Sequence, residues 1–89
     1  MNSKNIWQVH IPKRVAQAVS GFPADDEARL MEVLREFEVN PFSGDITKIK
    51  GENNKWRHRV GNYRVFYSVC PLSKLVEVKE IRRRTSSTY

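Results

Sequence analysis

The stretch WRHRVGNYRVFY, Trp56 to Tyr67, decides how this chain folds. Gly61-Asn62 has the composition of a two-residue hairpin loop, which pairs Val60 with Tyr63 and sets Arg59 directly opposite Arg64. Alternation along two such strands puts Arg57, Arg59, Arg64 and Phe66 on one face. Trp56, His58, Val60, Tyr63, Val65 and Tyr67 fall on the other. Like charges across a ladder cost a sheet about some tenths of a kcal/mol. A pattern that accepts this cost points to an anion held on that face, and three guanidiniums beside an aromatic suit a phosphate next to a base.

Working outward, the upstream half reads as a strand followed by two helices. Ile6 to Ile11 alternates loosely and is closed by Pro12, which sits where a helix starts. Val15, Ala16, Ala18 and Val19 form a short helical stripe ending before Gly21 and Pro23. Ala24 to Val39 is a second helix, with Asp25, Asp26 and Glu27 in its first turn and Ala28, Leu30, Met31, Val33, Leu34 and Phe37 on its apolar face. Asn40-Pro41 ends it. Thr47 to Lys50 reads as a short edge-like strand and Gly51 to Lys55 as a polar loop. After the hairpin, Pro71 to Lys74 turns the chain into a last strand from Leu75 to about Ile81. The fold expected is α+β, β-α-α-β-β-β, with two helices packed on one face of a small antiparallel sheet whose other face stays open.

The 89 residues make one small domain, 1–89, and the net charge of +6 is unevenly spread. Before Ile46, seven acids face five bases; from Ile46 onward, eleven bases face three acids. The basic half is the expected sheet, which argues for a polyanionic partner, nucleic acid before membrane. No segment approaches the roughly 20 apolar residues of a membrane span, and none resembles a signal peptide. The single cysteine, Cys70, reads as a small buried hydrophobe in a reducing compartment, and the cytoplasm is the expected location. His10 reads as a strand-end residue and His58 as a packed imidazole. Neither has partners at metal-ligand spacing, so no metal or other cofactor is expected.

Three segments carry a family resemblance: NPFSGDITKIKG at 40–51, WRHRVGNYRVFY at 56–67 and IRRRTSSTY at 81–89, with the helix pair upstream in the matching order. In these the chain resembles the RelE/ParE superfamily of bacterial toxins over nearly its whole length. The resemblance implies a RelE-like toxin of a type II toxin-antitoxin pair, monomeric alone and held inactive in a hetero-oligomer with a cognate, RelB-like antitoxin. For the RelE branch it further implies a ribosome-dependent, metal-independent endoribonuclease that cleaves messenger RNA in the ribosomal A site. The alternative is a ParE-like inhibitor of DNA gyrase without nuclease activity; the basic run before Tyr89 fits the nuclease branch better.

The same resemblance distributes roles over the residues. Cleavage by 2′-hydroxyl attack passes through a doubly charged phosphorane, which fixed cations stabilise. Arg64 matches the family's transition-state arginine, and Arg57 and Arg59 stand where some members carry two basic residues. A guanidinium is essentially never deprotonated, so these two are expected to hold the phosphate or lower the 2′-hydroxyl pKa rather than take a proton. Tyr89 matches the family's C-terminal catalytic tyrosine, expected first to stack on the attacked base and second to exchange a proton, its pKa lowered by surrounding arginines. Arg83 and Arg84 compete for the tail arginine's role: strand parity continued from Lys79 and Ile81 favours Arg83, and the RTSSTY spacing favours Arg84. Lys48 and Lys50 read as general phosphate contacts or solvent-facing lysines, and Phe66 as a base platform or as packing.

Overall fold

A computed structural model describes residues 6–84. The hairpin forms in the register its sequence dictates. Strand β3, Lys55–Val60, pairs antiparallel with β4, Tyr63–Cys70, and the matches include Val60 with Tyr63, Arg59 with Arg64 and Arg57 with Phe66. Within the turn Gly61 takes φ 58°, a left-handed conformation that a glycine in the first central position supplies at little cost.

Around it the chain runs β1 (Gln8–His10), α1 (Lys13–Ser20), α2 (Ala24–Glu36), β2 (Ile46–Lys48), the hairpin, and β5 (Leu75–Arg83). The strand order is β1-β5-β4-β3-β2. Two features go beyond the expected order. The edge-like segment is a paired strand, β2 against β3, so the sheet has five strands. The other edge is parallel: β1 lies beside β5, Val9 matching Val76, and the sheet is mixed. The helix pair carries the chain from one edge of the sheet to the other, and a strand that leaves the sheet through such a connection is free to join in parallel, unlike strands tied by tight turns.

Element ends differ from the expectation at three places. Helix α2 stops at Glu36 because the next amides turn to nearer carbonyls, Glu38 N–H to Arg35 O and Val39 N–H to Glu36 O, a tightened last turn. Strand β1 covers only three residues. Strand β2 ends at Lys48, after which the Ile49 amide bonds the Lys55 carbonyl and the chain turns.

The core lies between the helices and one sheet face. Val15 and Val19 of α1, Leu30 and Leu34 of α2, and Phe37 pack on Val60, Tyr63, Val65, Tyr67, Val69, Val76, Val78 and Ile81. Ala16, Ala18, Ala28 and Met31, read as part of the apolar stripes, are exposed. A stripe two residues wide suffices where each helix meets the sheet along a narrow line. Two tyrosines tie the helical layer down through their hydroxyls, which as buried polar groups need partners. Tyr67 Oη donates to the Pro41 carbonyl at 2.7 Å and Tyr63 Oη to Asp26 at 2.8 Å. Cys70, expected to be buried, is exposed at the end of β4. It shares parity with Arg64 and Phe66 and so lies on the open face. Among the described residues no helix is long and apolar enough to cross a membrane.

Candidate functional site

The open face of the sheet presents side chains in rows. Cross-strand register places Arg59 of β3, Arg64 of β4 and Arg82 of β5 side by side. The next row contains Thr47 of β2, Arg57, Phe66 and Glu80, and the third Lys55, Ser68 and Glu77. Arg57, Arg59, Arg64 and Phe66 therefore share one face, as the alternation of the hairpin requires.

The β5 contribution depends on a bulge. Phe66 matches Glu80 while Tyr67 matches Val78, so Lys79 is an extra residue. The bulge reverses the parity of everything after it: Val76, Val78 and Ile81 all face the core, whereas Glu77, Lys79, Glu80 and Arg82 lie on the open face. Parity carried through Lys79 and Ile81 therefore gave the wrong face for Arg83. Arg83 matches Tyr63 and sets its guanidinium carbon 5.8 Å from that ring, toward the helical layer. Arg84 follows, its amide donating to the Asn62 carbonyl of the hairpin turn at 2.6 Å. The sequence reading missed Arg82 and Glu80. A signal for them was present: the apolar spacing lengthens from two residues, Val76 to Val78, to three, Val78 to Ile81.

The electrostatics of the rows are unbalanced. Arg64 is half-buried; desolvation first, then the charges of Arg84, Arg57 and Arg59, push its pKa down from the ordinary arginine value. It stays protonated all the same, so the cluster stores repulsion that an anion would relieve. Arg57 Nε is buried with no hydrogen-bond partner, a cost that a bound acceptor removes. Two arginines have carboxylate neighbours: Arg82 Nε donates to Glu80 at 2.8 Å, and Arg59 Nε lies 3.8 Å from Asp45. Among the described residues no carboxylate lies within ion-pair distance of Arg57 or Arg64.

The other candidates are placed less uniformly. Lys48 matches Trp56, which puts it at the helix-side register of the sheet edge, away from the rows. Lys50 lies in the exposed connection after β2. Tyr89 lies outside the described residues. His58 is on the core side, 7 % exposed, its ring 5.7 Å from that of Phe37 in an edge-on arrangement. Burial lowers its pKa, against the opposing pull of Asp45 and Glu36, and its Nδ1 has no partner. It stands as the packed imidazole that alternation predicts. His10 ends β1, 3.8 Å from Glu77. Among the described residues no group of three His, Cys, Asp or Glu side chains could hold a metal ion.

Known proteins share this architecture. The crystal structure of the archaeal RelE-RelB complex from Pyrococcus horikoshii OT3 contains a chain with TM-score 0.80 and 28% identity, the match covering 92% of this chain and 99% of that one. The isolated E. coli RelE toxin matches with TM-score 0.76 at 17% identity, over 91% of this chain and 87% of that one, a likeness of fold. A curated relative from Methanocaldococcus jannaschii, named "Putative toxin RelE1", is 28% identical over 81 residues, which span 88% of this chain and 90% of the relative. The family model described as the ParE toxin of type II toxin-antitoxin systems, parDE, matches residues 9–87. With nearly the whole described fold inside that match, the chain belongs to this family of the RelE/ParE superfamily.

Proposed function

We propose that this protein is the toxin of a type II toxin-antitoxin pair and acts as a ribosome-dependent, metal-independent messenger RNA endoribonuclease in the cytoplasm, cutting in the ribosomal A site. The observation that carries this reading is the row of guanidiniums, Arg59, Arg64 and Arg82, with Arg57 behind it presenting a buried Nε that has no partner. In the reaction the 2′-hydroxyl gives its proton to water as its oxygen bonds to the adjacent phosphorus, and the 5′-oxygen leaves with the electron pair of the broken bond and takes a proton from water. Negative charge gathers on the non-bridging oxygens. Cations already fixed around them stabilise that state without reorganising, an effect worth about 100-fold or more in rate for one well-placed donor. Arg64 takes the central position, Arg57 and Arg59 hold the phosphate, and Arg84 is the tail arginine whose charge acts on Arg64. Arg83 turns toward Tyr63 and is the weaker candidate. Tyr89 stacks on the attacked base, so Tyr89→Phe keeps most activity. Lys50 adds general attraction for the backbone, and Lys48 acts only by reaching round the sheet edge.

The partner is a RelB-like antitoxin, as in the complexes formed by the structural relatives. Met31 lines a groove of about 250 Å³ with Val9, Ile11 and Leu34 between α2 and β1, together with the charged Arg35 and Glu38, a seat for an amphipathic antitoxin segment. The name of the matching family favours a second reading, a ParE-like gyrase inhibitor. Primer-extension mapping of messenger RNA on programmed ribosomes, run beside a gyrase supercoiling assay, decides between them. Cuts confined to the A site are the expected result. Intact messenger RNA with gyrase inhibition would move the chain to the second reading.

A further inference from the structure

Next to the arginine row the open face carries a cavity of about 230 Å³ lined by Ile49, Glu52, Lys55, Phe66, Lys79 and Glu80, together with Tyr67. Phe66 is its aromatic wall. It is half-buried, with Arg57 beside it on β3, Glu80 beside it on β5 and Arg64 two residues away on its own strand. The β5 bulge supplies the rim, because the extra residue brings Lys79 and Glu80 to the same face in succession. Across the cavity the connection after β2 contributes Ile49 and Glu52, the latter 3.1 Å from Lys55.

We propose that this cavity is a nucleobase subsite, taking a base that presents ring and amino N–H groups, guanine before uracil, on an RNA whose phosphate lies on the arginine row. The inference rests on the RNA-cleavage reading and adds to it the recognition of a base. Three features carry it. An aromatic wall one residue row from a phosphate site has the geometry of a stacking platform, since a base and its phosphate are covalently adjacent. The Arg82 guanidinium lies over the Phe66 ring, 5.4 Å from its centroid, so the platform for a base is a ring and a guanidinium together. The rim is chemically selective: Glu52 and Glu80 only accept hydrogen bonds, and Lys55 and Lys79 only donate them. Among the described residues the partners of these carboxylates, Lys55 and Arg82, each engage one oxygen and leave the other. The guanine edge offers adjacent N–H groups to a carboxylate and a carbonyl to an ammonium. Uracil offers a single ring N–H flanked by two carbonyls, which a carboxylate repels.

The test is titration of the full chain with guanosine 5′-monophosphate, uridine 5′-monophosphate and inorganic phosphate, followed by amide NMR. Guanosine monophosphate is expected to shift Phe66, Lys79 and Glu80 and to bind about tenfold more tightly than the uridine nucleotide, whereas phosphate shifts the arginine row alone. Phe66→Leu, which keeps an apolar side chain but removes the ring, should weaken the guanosine nucleotide about tenfold. Glu80→Gln should bring the two nucleotides together, and because it also releases Arg82 it should tighten inorganic phosphate and both nucleotides alike. Equal binding of both nucleotides, or shifts confined to Arg57 and Arg64, would overturn the subsite. In A-site cleavage Glu80→Gln should raise KM for guanine-containing codons relative to all others, over whatever common change the release of Arg82 brings; a uniform loss of kcat on every codon would make Glu80 part of the chemistry and remove its reading role. Nucleotide binding needs no ribosome, so a protein that cuts no messenger RNA would sink the nuclease reading while leaving the titration to judge the cavity.

Discussion

Arg82 stands directly across the ladder from Arg64, and its guanidinium is bound by Glu80 at 2.8 Å while Arg64 has no such neighbour. Of two arginines in one row, the outer is neutralised and the central one is left to act on an incoming anion. Replacement of Arg64 should therefore separate function from stability. Arg64→Thr removes a like-charge pair on each side and introduces a residue that suits strands. Its urea midpoint is expected to be unchanged or higher than that of the parent, with A-site cleavage reduced about 100-fold or more. A fall in midpoint together with activity would show that Arg64 serves the fold.

The row should also be visible in the salt dependence of RNA binding. For single strands the logarithm of affinity falls with the logarithm of salt by about 0.7 per phosphate neutralised. Arg57→Ala and Arg64→Ala are each expected to lower that slope by about 0.7. Arg82→Ala should lower it less, because Glu80 already holds that charge. Fluorescence anisotropy of a labelled oligonucleotide with a 2′-deoxy linkage at the cut, taken across a salt series, checks this. Equal slopes for all three variants would mean that Glu80 does not shield Arg82.

How much of this was legible beforehand follows from where the periodicity is clean. The hairpin was readable to the residue, since a two-residue turn fixes register and period two then fixes both faces. The arginines of β3 and β4 came with it. Along β5 plain parity points to Arg83 and the RTSSTY spacing to Arg84; parity fails after Val78 because a bulge changes no residue type, and only the lengthened apolar spacing to Ile81 betrays it. Cys70 reads as buried from its apolar neighbours, yet it shares the parity of Arg64 and Phe66 and faces the open side of the sheet, which no helix covers. The parallel edge was not readable. Three residues, Gln8–His10, carry no sequence mark of the direction of their partner.

His58 gives the fold a sensitivity to acid. Burial lowers its pKa in the folded state, while in the unfolded chain it titrates near the reference value of about 6.5. Below that value the unfolded state binds more protons than the folded one. The stability contributed by the neutral imidazole is thus present above about pH 6.5 and is lost as pH falls through the lower folded value. Asp45 and Glu36 temper the loss because both favour the charged ring. Urea midpoints of the parent should fall on the acid side, and His58→Gln should flatten that part of the profile. Parallel profiles would remove His58 as its source.

Gly44 is held by the same imidazole. It adopts φ 97°, and a Cβ placed there would lie 2.5 Å from His58 Cε1. Gly44→Ala therefore carries a backbone penalty and a clash, and is expected to cost more than about 1 kcal/mol in equilibrium unfolding. The two parts separate in a double variant. In a His58→Ala background the clash disappears and the backbone penalty remains, so the cost of Gly44→Ala should shrink without vanishing. An identical cost in both backgrounds would assign the whole effect to the backbone.

Tyr67 fastens the chain between α2 and β2 to the sheet. Its ring packs on Phe37 with centroids 4.4 Å apart, and its buried hydroxyl donates to the Pro41 carbonyl at 2.7 Å. Burial also raises its pKa, which keeps the hydroxyl protonated as a donor. Tyr67→Phe retains the ring contact and strands a buried carbonyl, a change that costs about 1–3 kcal/mol. Pro41 precedes the connection to β2, and β2 is an edge strand of three residues. The loss is therefore expected to appear as faster hydrogen exchange in β2 and the segment before it, before the hairpin is affected. Arg64 lies on β4, held between β3 and β5, and Arg57 stays paired with Phe66 of β4 even as β2 frays, so RNA affinity should change little. Exchange that accelerates uniformly across all five strands would mean that Tyr67 supports the whole sheet rather than the Pro41 connection.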